Sequence, residues 1–132
     1  MTALIGTHQE DLDQLICRIE QAAAPDAWLF ADILSSACHR AESMRRAGHA
    51  GNYDQLVDAG AWTEAALALA ELELPTWKPR RIGYDGGQWH CRLSARPWLV
   101  EDFDEVADSC HDVLPLAILA AIVQALRVER CQ

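Results

Sequence analysis

Apolar residues recur at helical spacing over the first third of the chain. Leu12, Leu15, Ile16 and Ile19 fall at i, i+3, i+4 and i+7, while Glu10, Asp11, Asp13, Gln14, Arg18 and Glu20 lie off that stripe. One dry face and one wet face at this period predict an amphipathic helix ending near Ala24. Thr7 followed by Glu10 has the spacing of a capping box and marks its expected start. After Pro25-Asp26, a second stripe of Leu29, Phe30, Ile33, Leu34, Ala37, Ala41 and Met44 predicts one helix running to Gly48. So short a connection predicts an antiparallel or crossed helical pair over residues 8–48.

Asn52 is placed to cap a third segment over 53–59, and Gly60 breaks or bends it. Residues 61–73 are rich in alanine and leucine with Glu64, Ala68 and Glu71 on the wet side, and Pro75 ends that helix. The period then switches to two. Residues 77–84 and 88–93 flank Asp85-Gly86-Gly87, which predicts a β-hairpin closed by a glycine turn. Ile82, Tyr84, Trp89, Cys91 and Leu93 then share one face, and Arg81, His90 and Arg92 share the other. Two arginines facing each other across a two-stranded ribbon repel unless something anionic lies close.

Beyond a loop containing Pro97, Phe103, Val106, Ala107 and Cys110 predict a short acidic helix over 101–112. Pro115 is tolerated in the first turn of a last helix, whose residues 116–123 are apolar all round and so the most buried. The expected architecture is a single α+β domain over 1–132. An N-terminal helical pair (8–48) joins a helix–hairpin–helix unit (52–130), in which the central β-hairpin forms a small antiparallel sheet.

Three segments carry a resemblance. Arg18-Ile19-Glu20-Gln21-Ala22-Ala23-Ala24-Pro25-Asp26 with Leu29, Ala31, Asp32 and Ile33 resembles the opening of the phage ABA sandwich family of small phage-associated bacterial proteins. Thr63-Glu64-Ala65-Ala66-Leu67-Ala68-Leu69 with Trp77 is similar to that family's middle, and Leu114-Pro115-Leu116-Ala117-Ile118-Leu119-Ala120-Ala121 to its end. This chain departs in having no glycine before Pro25 and in carrying the extra acidic segment 101–112. The resemblance implies helix–sheet–helix layers and a phage or prophage setting. It brings no activity and no catalytic residues.

Charge and cysteine content narrow the partners. A net charge of −9 makes a nucleic-acid backbone an unexpected main partner, because phosphate binding needs a basic surface. The first ten residues show neither the basic start nor the apolar stretch of a secretory leader. The longest apolar run, 113–123, is too short to span a bilayer, so no membrane contact is expected. Five scattered cysteines (Cys17, Cys38, Cys91, Cys110 and Cys131) are an odd set without disulfide spacing, which points to reduced thiols in the cytoplasm.

Candidate chemistry gathers at Cys38-His39, His90-Cys91 and Cys110-His111. A thiolate–imidazole metal site would draw on His90, Cys110 and His111, yet adjacent residues on a strand point apart and structural zinc ligands are usually two to four residues apart. Small buried hydrophobes are the better reading of the cysteines, so no metal and no cofactor is expected. A Cys–His nucleophile is disfavoured too: Cys91 falls on the inner hairpin face and Cys110 among carboxylates. Lys78, Arg80, Arg81, Arg92 and Arg96 form either a phosphate surface, with Trp77 or His90 for stacking, or intramolecular partners for the acidic segment. The negative net charge favours the second. Of five tryptophans, Trp62 and Trp89 are expected in the core and Trp28 and Trp98 as interface anchors, with Arg81 and Arg92 as further interaction residues. With no phosphate loop, nucleophile elbow or zinc-protease helix, the expectation is a non-enzymatic interaction or assembly domain, a homo-oligomer or the binder of another protein. The alternatives are a small-ligand or metal-binding module, and a nucleic-acid accessory protein using the basic hairpin.

Overall fold

The last helix, α6 (Leu114–Arg130), is the centre of the fold. Residues 115–123 of it are buried without exception, as are Ala125 and Leu126. An element apolar on every side has no wet face to offer, so other elements must enclose it. The computed structural model describes residues 3–100 and 104–130, with side chains from residue 11 onward. Before α6 come α1 (Ala3–Gln21), α2 (Ala27–Ser36), α3 (His39–Arg46), α4 (Tyr53–Asp58) and α5 (Trp62–Glu73), then strands β1 (Lys78–Asp85), β2 (Gln88–Ser94) and β3 (Val106–His111). α6 packs against β2 and β3 on one side and against α1 and α5 on the other. The fold is thus α+β and layered, with α6 between the outer helices and the sheet.

The helical half follows the predicted stripes, with two differences. α1 starts at Ala3, upstream of Thr7, so Thr7 and Glu10 lie within the helix and not at its cap. Its buried face of Leu12, Leu15, Ile16 and Ile19 rests chiefly on α6, and an Arg18–Asp32 ion pair of 2.9 Å ties it to α2. The second stripe is not one helix: it breaks at Ala37-Cys38, both fully buried. No glycine or proline marks this corner. Long-range partners hold it instead. Arg130 donates to the Ala37 carbonyl at 2.6 Å, and the Glu73 carboxylate accepts from the Ala41 N–H in the first turn of α3 at 2.9 Å. At the start of α2, Asp26 is the N-cap, accepting from the Leu29 N–H at 2.8 Å.

Burial raises the Glu73 carboxyl above its ordinary value, against the lowering effects of the Ala41 and Arg40 N–H groups and Arg130. A raised acid favours the protonated folded state, so the contribution of Glu73 is best in acid and is lost as pH rises through its folded value. Glu73→Gln keeps an acceptor for Ala41 and removes the charge. It should therefore match or exceed the wild type in urea denaturation at pH 7, while Glu73→Ala loses about 1 kcal/mol, as a lost helix cap does. Equal losses for both variants would contradict this account.

The sheet has three strands in the order β1-β2-β3, antiparallel throughout. Gly86 and Gly87 form the two-residue turn between β1 and β2, with φ of 62° and 83°. Positive φ at both central positions is the requirement of the hairpin turn that matches strand twist, and glycine meets it without strain. Register sets Ile82 opposite Cys91 and Tyr84 opposite Trp89, as the alternation predicts. Burial is uneven across that face, however. Cys91 and Leu93 are buried, but Ile82 and Tyr84 are 38% and 61% exposed, because α6 lies over β2 and β3 while β1 forms the free edge.

The expected acidic helix is a strand, β3, so the two-stranded hairpin is part of a three-stranded sheet. Residues 101–103 of that predicted element lie outside the described residues. Within β3, Ala107 and His111 are buried whereas Asp108 and Cys110 are exposed. That alternation belongs to a strand. It is masked in the sequence because the inward positions are Ala107, Ser109 and His111 and the outward ones include Val106 and Cys110. One hydrophobic cluster takes residues from all six helices and from β2 and β3, but none from the edge strand β1. Among the described residues, no helix is long and apolar enough to cross a membrane.

Candidate functional site

Most of the candidate residues meet on the outer face of the sheet, turned away from α6. Strand register sets them in rows. Arg81, Arg92 and Asp108 are consecutive partners across β1, β2 and β3; Gly83, His90 and Cys110 form the next row. A hollow of about 390 Å³ opens over them, lined by Arg81, Asp85, His90, Arg92, Asp108 and Cys110, with Cys91 and Ser109 at its floor. The His90 Nε2–H donates to the Asp85 carbonyl at 3.1 Å.

The arginine conflict across the ribbon is real and is answered on one side only. Arg92 holds Asp108 through two bonds, Nε at 2.6 Å and a terminal nitrogen at 3.0 Å, the forked geometry that suits guanidinium and carboxylate. Arg81 is exposed and makes no ion pair among the described residues. Two of the other basic residues, Arg80 and Arg96, find partners within the molecule, while Lys78 is exposed. Arg80 binds Asp104 and the carbonyls of Pro97 and Leu99, and Arg96 approaches Glu105 at 3.9 Å. Asp104 has no exposed side-chain surface and also accepts from the Ser94 hydroxyl and the Arg96 N–H. This knot pins the β2–β3 loop, on which Trp98 is 74% exposed.

His111 does not join the hollow. It is inward-facing on β3, opposite Trp89, and its Nδ1 accepts from the Val113 N–H at 3.0 Å at the entrance to α6. Its Nε2 is buried without a hydrogen-bond partner among the described residues. The proposed ligand set of His90, Cys110 and His111 therefore divides between two faces of the sheet. Among the described residues, no group of three or more His, Cys, Asp or Glu side chains is arranged to hold a metal ion.

The cysteines separate by burial. Cys17 and Cys110 are exposed, Cys38 and Cys91 buried. Burial pushes the Cys91 thiol up to about 11, with Asp108 adding to it, and pushes Cys38 higher still with help from Glu73. Neither buried thiol is a usable nucleophile near neutral pH. Trp77, offered for base stacking, is buried, and its indole N–H donates to Glu129 at 2.7 Å. Trp62 and Trp89 are half-buried and pack against the core.

A second surface surrounds Trp28. This side chain is 80% exposed on α2, at the rim of a groove of about 550 Å³ between α2 and α4. The floor is apolar: Phe30, Leu34, Tyr53 and Val57 line it, and Phe30 stacks on Trp62 at 5.5 Å beneath. Four carboxylates (Asp32, Glu42, Asp54 and Asp58) line the groove with a single cation, Arg45. Arg45 is shared between Asp54 at 2.8 Å and Glu42 at 3.5 Å, and Glu42 also holds Arg46 at 3.0 Å. Asp32 is the partner of Arg18, and Asp58 makes no ion pair among the described residues. The sequence reading found Trp28 but missed this rim. Asp54 and Asp58 stand one helical turn apart on α4, a spacing that could have shown it.

No family model, curated protein or solved structure matches this chain. Its surfaces alone carry the functional argument.

Proposed function

We propose that this protein is a non-enzymatic interaction domain, and that its groove between α2 and α4 receives a basic, amphipathic segment of another protein. The observation that carries this reading is Trp28, a large aromatic side chain 80% exposed beside a groove with an apolar floor. Exposed tryptophans at a concave apolar surface are the usual anchors of protein interfaces. Charge selects the partner. Asp32, Glu42 and Asp54 already hold arginines, and the unpaired Asp58 beside the apolar floor favours a segment bearing lysine or arginine beside its apolar face. A second copy seated symmetrically in the same groove would set Asp32, Asp54 and Asp58 against their equivalents, so self-association does not suit this surface.

The test is fluorescence anisotropy with a labelled amphipathic peptide of leucine and lysine, and with its leucine–glutamate counterpart. The basic peptide should bind and the acidic one should not. Trp28→Ala leaves every charge in place and should weaken binding about 30-fold, as loss of a central anchor does. Unchanged affinity in that variant would mean mere electrostatic adhesion and would overturn the proposal. So would a dimer in light scattering that Trp28→Ala disperses, because a second copy would then occupy the groove.

A further inference from the structure

The hollow on the outer sheet face stands apart from the Trp28 groove, on the other half of the fold. We infer that it is a binding site for a small metabolite bearing an oxyanion, phosphate or carboxylate, which docks between Arg81 and Arg92. Three observations converge on this.

The first is charge. Arg81 and Arg92 are direct cross-strand partners, an arrangement that destabilises a sheet unless anions compensate it. Asp108 is engaged by Arg92 through both of its oxygens. Arg81 keeps its full charge with no ion pair among the described residues, facing an open hollow. An incoming oxyanion supplies what the row lacks, and a guanidinium presents it with paired donors.

The second is shape. Gly83 lies between Arg81 and Asp85 on the same face of β1 and opposite His90. Having no side chain, it leaves the outer face of β1 open between those two residues. Its backbone φ does not require glycine, and a Cβ there would meet only the Arg81 Nε, at 3.9 Å. A side chain at this position would therefore stand beside Arg81 on the outer face without backbone strain. The resulting volume of about 390 Å³ falls within the range of metabolite pockets, roughly 300–1,000 Å³.

The third is the remaining lining. His90, fixed through Nε2 to the Asp85 carbonyl, keeps Nδ1 without a partner among the described residues. The Asp85 carboxylate lies at the turn end of the hollow, four residues along β1 from Arg81. Acceptors at one end and guanidinium groups at the other suit a ligand with hydroxyl or amine donors opposite its oxyanion. The Asp85 carboxylate would repel a second anionic end, so dianions charged at both ends are excluded.

Titration calorimetry at fixed ionic strength, with glycerol phosphate and with glycerate as probes, tests the site and separates the two sources of oxyanion. Saturable binding of glycerol phosphate alone assigns a phosphate monoester; binding of glycerate assigns a carboxylate. Arg81→Gln, at an exposed position outside the core, should weaken whichever binds at least tenfold. Gly83→Val, which adds a branched side chain beside Arg81 on the same face, should do the same with Arg81 intact. Binding of neither probe, or binding that both variants leave unchanged, overturns the inference. The Trp28 groove is untouched by these variants, so peptide binding there stands or falls separately.

Discussion

Ile122→Ala is expected to lower the unfolding free energy by about 3 kcal/mol, with the midpoint of urea denaturation falling accordingly. Ile122 has no exposed surface and sits on the helix that every layer shares. Deleting a buried aliphatic side chain removes its transfer free energy and leaves a cavity whose walls relax only in part. Here the walls are the sheet on one side and α1 and α5 on the other, so no neighbour can close the space without abandoning another contact. Val128, farther along α6 and half-buried, is the control; its alanine variant should lose about 1 kcal/mol or less. A loss at Ile122 no larger than at Val128 would mean that α6 is not the enclosed centre of this fold.

Arg80→Ala should release the β2–β3 loop, and the wild-type protein should lose the same restraint in acid. Arg80 spans the loop by binding Asp104 and the carbonyls of Pro97 and Leu99. Removing it leaves the Asp104 side chain without its cation at a site with no exposed surface, which strongly destabilises the unpaired partner. Chymotryptic cleavage after Trp98, slow in the wild type, should become rapid in the variant. Burial raises the Asp104 carboxyl, but the Ser94 hydroxyl, the Arg96 N–H and Arg80 together outweigh it and hold the group below its ordinary value of 3.8. A depressed acid contributes stability that is complete above the unfolded value and lost as pH falls through the folded one. Thermal stability should therefore decline as pH drops below 3.8, and Asp104→Asn should flatten that decline. The sign is opposite to that expected of Glu73. A variant loop that resists chymotrypsin as well as the wild type would show that Arg80 is not its clamp.

How far the sequence foretold these features depended on whether neighbours or distant residues set them. The stripe from Leu12 to Ile19, the restart after Pro25-Asp26, the Gly86-Gly87 turn and the apolar run of α6 are local patterns, and each occupies its expected place. The corner at Ala37-Cys38 is held by Arg130 and Glu73, 93 and 32 residues away from the groups they bind, and no local signal announces it. β3 failed for a different reason. Val106, Ala107 and Cys110 happen to fit a helical spacing, and only pairing with β2 makes Ala107 and His111 the inward residues.

The same distinction governs the sites. Arg81, His90 and Arg92 were placed together because they lie within one hairpin. Cys110 could join His90 only once residues 106–111 became a strand, which also sent His111 to the other face. The acidic rim around Trp28 comes from α2, α3 and α4, elements whose packing no periodicity describes.

Nitrogen–proton correlation spectra of the labelled protein, titrated with the leucine–lysine peptide, test the interaction reading most directly. Shifts should concentrate on Ala27–Ser36 and Tyr53–Asp58, with the indole N–H of Trp28 moving most. Small shifts scattered over every acidic surface, or a cluster centred on the sheet, would contradict it.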